Sequence, residues 1–213
     1  MSIHQMRQTY TLSGLQENDV DRDPIVQFEK WFQEAQSSDL PDWVEVNAMT
    51  LSTSDKAGCV TSRIVLLKGI EDGKFVFFTN YGSTKGGQIE ANPSVSLCFF
   101  WPHLQRQVCI AGTALKTSRE VSQTYFHSRP RGSQLGANVS MQSSEVTASD
   151  LQSRMSELEQ KYADQEIPCP DHWGGYEVTP STIEFWQGRP SRLHDRIVFR
   201  KSDKAWNIVR LSP

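Results

Sequence analysis

No apolar run in this 213-residue chain approaches the ~20 residues that a membrane-spanning helix requires. The first ten residues, MSIHQMRQTY, lack the apolar segment of a secretory signal, so none is expected. The four cysteines, Cys59, Cys98, Cys109 and Cys169, form no CxxC pair, which argues against zinc-ribbon and thioredoxin-type chemistry. Cys98 and Cys109 sit inside apolar runs and read as small core residues. Excess basic charge is also missing: 22 Lys and Arg stand against 25 Asp and Glu, a net charge of −3. A global field for nucleic acid is therefore absent, and any anion site must be local. His4, His103, His127 and His172 show no metal-ligand spacing and read as structural or surface residues. There is no nucleophile elbow and no glycine fingerprint of a dinucleotide-binding sheet. These absences predict an ordered cytoplasmic protein, with neither membrane nor nucleic acid as partner.

What the sequence does have is a change of hydrophobic period. Asp23-Pro24 reads as N-cap and first helical position, and Ile25, Phe28, Trp31 and Phe32 follow at helical spacing, so a helix is predicted over 24–36. Residues 1–22 are polar and irregular and are expected to form a flexible arm, leaving 23–213 as a single domain. From Ala48 onward, runs rich in Val, Ile, Thr and Phe predict strands at 48–54, 59–68, 74–80, 95–101 and 106–116. Gly58 and Asp72-Gly73 supply turns, and a short helix near 84–91 ends at Asn92-Pro93. Helices follow at 118–127 and 148–162, separated by a polar connector, 128–144, that reads as an irregular loop. Strands at 174–179, 182–188 and 194–200 and a last piece at 205–210 close the chain. Without regular βα alternation, this order predicts an α+β fold: an antiparallel barrel or sandwich with helices packed outside.

Four segments combine cations with hydroxyls or amides. Arg63 and Lys68 flank an apolar strand, and their parity differs, so the two cannot share a face unless one lies at the strand end. Thr79 to Gly87 is a strand-to-helix loop with hydroxyls, glycines and Lys85; it is not a Walker motif, but free N–H groups at a helix start can seat a phosphate. Tyr125, Arg129 and Ser133 recur every four residues and would share a face if the helix continued, although Pro130 and Gly132 argue for irregularity. A phenol, a guanidinium and a hydroxyl together suit a dianion. Arg192, His194 and Arg196 share strand parity, and like charges so aligned repel unless an anion or a carboxylate lies between them. Each segment also has a plainer reading, as a solvated face, a capped helix start or a charged edge strand. The residues alone therefore give a barrel-like domain with several anion-binding loops.

Those segments closely resemble the pyridoxine 5′-phosphate oxidase family, through RIVLLK, FFTN, NPSVSLCFFW, YFHSRPRGSQLGA, QSS, WGGY, EFWQG and RLHDR, from Met6 to the terminal Pro213. The resemblance implies an FMN-binding split β-barrel with peripheral helices, and a homodimer with FMN at the subunit interface. It implies oxidation of pyridoxine 5′-phosphate and pyridoxamine 5′-phosphate to pyridoxal 5′-phosphate by O2, with hydrogen peroxide as co-product. FMN would be held by Arg63, Ile64, Val65, Leu66, Leu67 and Lys68, by Phe78, Thr79, Lys85 and Gln107, and by Gln142, Ser143, Trp186 and Arg196. The substrate phosphate would meet Lys68, Tyr125, Arg129 and Ser133. Arg192, Leu193 and His194 would face the pyridine ring, with Arg192 and His194 as the catalytic candidates, and Arg7 and Tyr10 would form a closing lid. Thr84 stands where many members carry Arg, which implies one cationic contact fewer to the FMN phosphate. A flavin or deazaflavin reductase on the same fold, and a non-catalytic binder of flavin or pyridoxal phosphate, are the competing readings.

Overall fold

The computed structural model describes residues 2–6, 8–203 and 205–213. Among them, nine strands form one antiparallel sheet that curls into a split barrel. In chain order these are β1 (Ala48–Ser54), β2 (Val60–Leu66), β3 (Gly69–Glu71), β4 (Lys74–Asn80), β5 (Ser94–Trp101), β6 (Arg106–Lys116), β7 (Trp173–Gln187), β8 (Asp195–Lys201) and β9 (Trp206–Leu211). Neighbours run β2-β1-β5-β6-β7-β4-β3, and β8 and β9 branch from β7. The ends of this ribbon return toward each other, where the Lys68 N–H donates to the Val76 carbonyl at 2.8 Å. Among the described residues five α-helices lie outside: α1 (Pro24–Gln36), α2 (Thr84–Ala91), α3 (Arg119–Ser128), α4 (Arg131–Val139) and α5 (Ala148–Tyr162). None of the described helices is long and apolar enough to cross a membrane.

Strand alternation builds the core. The inward row Leu51, Leu97, Ile110, Ile183 and Phe199 runs in register across five strands, and all five residues are buried. Helix α1 closes one side. Asp23 caps it by accepting the Ile25 N–H at 2.8 Å, and Phe28 meets Phe75 and Phe99 with ring centroids 5.0 Å away in each case. Ahead of α1, Leu15 and Val20 are buried, and Arg210 and Asp195 bond the backbone of Leu15 at 2.8 and 3.0 Å, so this stretch of the arm lies against the body.

Several expectations are corrected. The connector 128–144 contains a full helix, α4. The strands expected at 174–179 and 182–188 are one strand, β7, continuous through Pro180. The run 59–68 ends as a strand at Leu66, with β3 starting three residues later. Cys98 and Cys109 are only partly buried and not core residues; Cys169 is the buried cysteine.

Candidate functional site

A concentration of positive charge without carboxylates lies where β2 approaches β4. A cavity of about 700 Å³ is walled there by β2 and by Phe78 and Thr79 of β4. Thr84 and Lys85 at the start of α2, Tyr125 of α3, Arg129, Pro130 and Ser133, Gln142 and Ser143, and Trp173 of β7 complete it. Arg63, Lys68, Lys85 and Arg129 all line it, and no Asp or Glu does. In a protein of net charge −3 this is a strong local inversion.

Lys85 and Arg63 are held by neutral hydrogen-bond partners, and Arg129 by an aromatic face. Lys85 is only 7% exposed, and its Nζ donates to Gln142 Oε1 at 2.9 Å, Ser83 Oγ at 3.0 Å and Thr79 Oγ1 at 3.1 Å. Burial first, and then the nearby Arg63 charge, lower its pKa to about 8. Arg63 donates through Nη1 to Leu51 O at 3.2 Å and Thr53 Oγ1 at 2.6 Å, and through Nη2 to Thr61 Oγ1. Arg129 stacks on Trp173 at 4.7 Å, within a layered set of Phe78, Tyr125 and Trp173. Its Nη1 is buried without a hydrogen-bond partner among the described residues. Such an orphaned guanidinium N–H in the lining of a cationic cavity fits an anion that would supply the missing acceptor.

The sequence-predicted residues fall into two groups. Arg63 to Leu66, Lys68, Phe78, Thr79, Lys85, Tyr125, Arg129, Ser133, Gln142 and Ser143 come together in this cavity. Leu67 turns into the core. The helix does not continue through Tyr125, Arg129 and Ser133, in line with Pro130: α3 ends at Ser128 and Arg129 is extended, yet the bend before Pro130 brings all three to one wall. Thr84 lines the cavity, and its N–H donates to Ser143 Oγ at 3.2 Å.

The second group lies elsewhere. Tyr10, Trp186, Arg192 and His194 line a separate cavity of about 450 Å³ that shares no lining residue with the first. Tyr10 packs edge-on against Trp186 and His194 at 5.7 and 5.6 Å. Gln107, Trp186 and Arg196 form one cross-strand row over β6, β7 and β8, without Gln107 or Arg196 lining either cavity. Leu193 is exposed and lines neither. Arg7 lies outside the described residues. The expected one-sided strand display of Arg192, His194 and Arg196 is also corrected: β8 starts at Asp195, and Ser191 and Arg192 sit in a turn with φ of 57° and 62°. A carboxylate does meet Arg196, since Glu184 pairs with it at 2.7 and 3.0 Å.

The Arg189 N–H donates to His194 Nδ1 at 3.0 Å, which fixes the neutral ring with its proton on Nε2. Burial, then the Arg192 charge, push the His194 pKa below the usual imidazole value. Trp173 and Trp186 mark the two cavities and lie 13 residues apart (186 − 173) at opposite ends of β7. That is up to roughly 43 Å along an extended strand. Trp173 was not singled out as a site residue from sequence; its aromatic character beside Gly174-Gly175 was the available signal.

Comparison with known proteins gives two matching families. Residues 35–161 match the family described as Pyridoxamine 5′-phosphate oxidase, and residues 173–213 match the Pyridoxine 5′-phosphate oxidase C-terminal dimerisation region. A Rhodopirellula baltica protein named pyridoxine/pyridoxamine 5′-phosphate oxidase is 59% identical, covering 100% of this chain and 97% of its own length. A protein of the same name from Leptospira interrogans is 51% identical over 99% of this chain and 98% of its own. Among solved structures, PhzG from Burkholderia lata aligns with a TM-score of 0.88 at 24% identity, over 97% of this chain and 100% of that one. A pyridoxamine 5′-phosphate oxidase-related, FMN-binding protein from Nostoc punctiforme aligns with a TM-score of 0.69 at 14% identity, over 87% and 95%. Both structural likenesses concern the fold.

Proposed function

The chain belongs to the pyridoxine/pyridoxamine 5′-phosphate oxidase family, and from that premise we propose that it oxidises pyridoxine 5′-phosphate and pyridoxamine 5′-phosphate to pyridoxal 5′-phosphate with FMN as cofactor. The observation that carries the reading is the cavity with four cations and no carboxylate, including a buried lysine and an orphaned arginine N–H. Two phosphorylated ligands need such an excess. FMN fits its α2 end, where Arg63, Lys85 and the Thr84 and Ser143 hydroxyls would take the phosphate, with residues of β2 along the ring. When bound, FMN supplies a two-electron acceptor that molecular oxygen regenerates, with hydrogen peroxide as the product.

The chain's own residues do the rest. Lys68, Tyr125, Arg129 and Ser133 would grip the substrate phosphate and turn that remote binding energy into orientation of the reacting C4′ carbon. Tyr10, Trp186 and the 189–194 turn would exclude water. Arg192 and His194 would meet the pyridine ring. Because Nδ1 of His194 already accepts the Arg189 N–H, the neutral ring offers Nε2–H and acts as a hydrogen-bond donor rather than a base. The opposite positions of the two cavities along β7 support a homodimer in which each site joins the first cavity of one protomer to the second cavity of its partner.

The test is anaerobic addition of pyridoxamine 5′-phosphate to the purified yellow protein. The flavin absorbance band should bleach, pyridoxal 5′-phosphate should appear, and air should restore the band. A band unchanged by substrate would reject the oxidase reading.

A further inference from the structure

Gln88 lies one helical turn beyond Lys85 on α2, buried at 8% exposure, and touches neither cavity. Its Oε1 accepts two hydrogen bonds, from Thr53 Oγ1 at 2.6 Å and from Thr61 Oγ1 at 2.7 Å. Both hydroxyls also contact Arg63, at Nη1 and Nη2 respectively. The directions of these bonds are fixed by chemistry. A guanidinium only donates, so each threonine oxygen accepts from Arg63 and must send its single proton elsewhere. The one acceptor both protons reach is Gln88 Oε1. A third bond, to Leu51 O, leaves two of the five Arg63 donors for the cavity.

This network answers a physical difficulty. Arg63 comes from β2 and Lys85 from α2, they repel, and no carboxylate lines the cavity between them. Left alone, the flexible guanidinium would swing toward solvent. We propose that Gln88 is a positioning residue: through Thr53 and Thr61 it clamps Arg63 opposite Lys85, so that two cations on separate elements are pre-set for one phosphate group. Preorganisation of this kind adds affinity by removing the ordering loss on binding. The inference rests on the FMN reading above and names what sets the geometry of its phosphate end.

The test is a double-mutant cycle read by FMN affinity, measured as quenching of flavin fluorescence when apoprotein is added. Gln88→Leu and, separately, the near-isosteric Thr53→Val are each combined with Arg63→Met. In the native background each should weaken FMN by about tenfold, the equivalent of one charged hydrogen bond. In the Arg63→Met background the same changes should matter by less than about twofold, because their route to the ligand is gone. Equal losses in both backgrounds would show that Gln88 acts through the fold, and no loss in the native background would show that the clamp is idle; either result overturns the proposal. Should Gln88→Leu not fold, Thr53→Val decides alone. Apoprotein of native sequence that takes up no FMN would overturn the cofactor reading itself, which is a different failure from additive losses.

Discussion

Lys85 carries a prediction that depends on the sign of its shift. Burial and the Arg63 charge lower its pKa to about 8 in the free protein, and only the protonated form attracts a phosphate. A phosphate monoester is already a dianion above its second pKa of about 6, so it does not titrate in the same range. FMN affinity should therefore be level near pH 7 and fall as pH passes through about 8, and Lys85→Arg should flatten that fall. The unfolded chain keeps its lysine proton to about 10.4, so this group also makes the apoprotein more stable as pH rises above 8. An affinity that held to pH 10 in the native protein would exclude Lys85 from the phosphate contact. His194 gives the opposite limb. Its lowered pKa and the Arg189 N–H on Nδ1 keep the ring neutral. The acid limb of kcat/KM should lie below the ordinary imidazole value of about 6.5. Arg192→Gln, which removes the like charge, should move that limb upward; a limb above about 6.5 in the native enzyme would contradict the lowered pKa.

Among the elements, α2 shows how tightly the anion end is built. A Cβ on Gly86 would sit 2.0 Å from the Tyr81 carbonyl oxygen, a backbone atom that no rotamer change can move, whereas a Cβ on Gly87 meets nothing within 4 Å. Gly86→Ala should destabilise the apoprotein by about 1–3 kcal/mol in denaturant unfolding and weaken FMN as α2 shifts. Gly87→Ala should leave FMN affinity unchanged and stabilise by up to about 1 kcal/mol, the usual gain on replacing a helical glycine. Equal effects of the two substitutions would mean that the helix tolerates displacement.

The same scale separates what was legible in the sequence from what was not. Helix α1 announced itself through Asp23-Pro24 and its apolar stripe, and the strands through their alternation. Helix α4 did not, because Gly132 and Gly136 lower its propensity and its hold is tertiary: Arg131 binds the carbonyls of Tyr162, Ala163 and Gln165 at the end of α5. The strands expected at 174–179 and 182–188 are joined through Pro180, which falls at the irregularity opposite Ala111 and Gly112, where the ladder does not require the N–H that proline lacks. Gln88 was invisible as a site residue because its contacts bring residues of α2, β1 and β2 together across 35 positions of sequence. The charged site residues were readable individually, and the resemblance grouped them; the division of Lys85 and Arg129 from Arg192 and His194 between two cavities emerged only from the topology.

That division is a statement about the whole molecule, and it can be tested with protein assembled from two variants. Arg129 lines the first cavity and Arg192 the second. Losing either guanidinium should lower kcat/KM by roughly tenfold to a hundredfold, the weight of a charged hydrogen bond. If a site joins the first cavity of one protomer to the second cavity of its partner, a mixed dimer of Arg129→Ala and Arg192→Ala holds one site with both defects and one with neither. Under two-fold symmetry and random pairing, half the dimers are mixed, so about a quarter of all sites are intact. The co-refolded mixture should recover about a quarter of native activity, and mixed dimers isolated with two different tags should recover about half. If instead both cavities of one protomer served the same substrate, every site in every dimer would carry one defect. The mixture would then be no more active than the average of its parents, and the two-protomer site would be refuted.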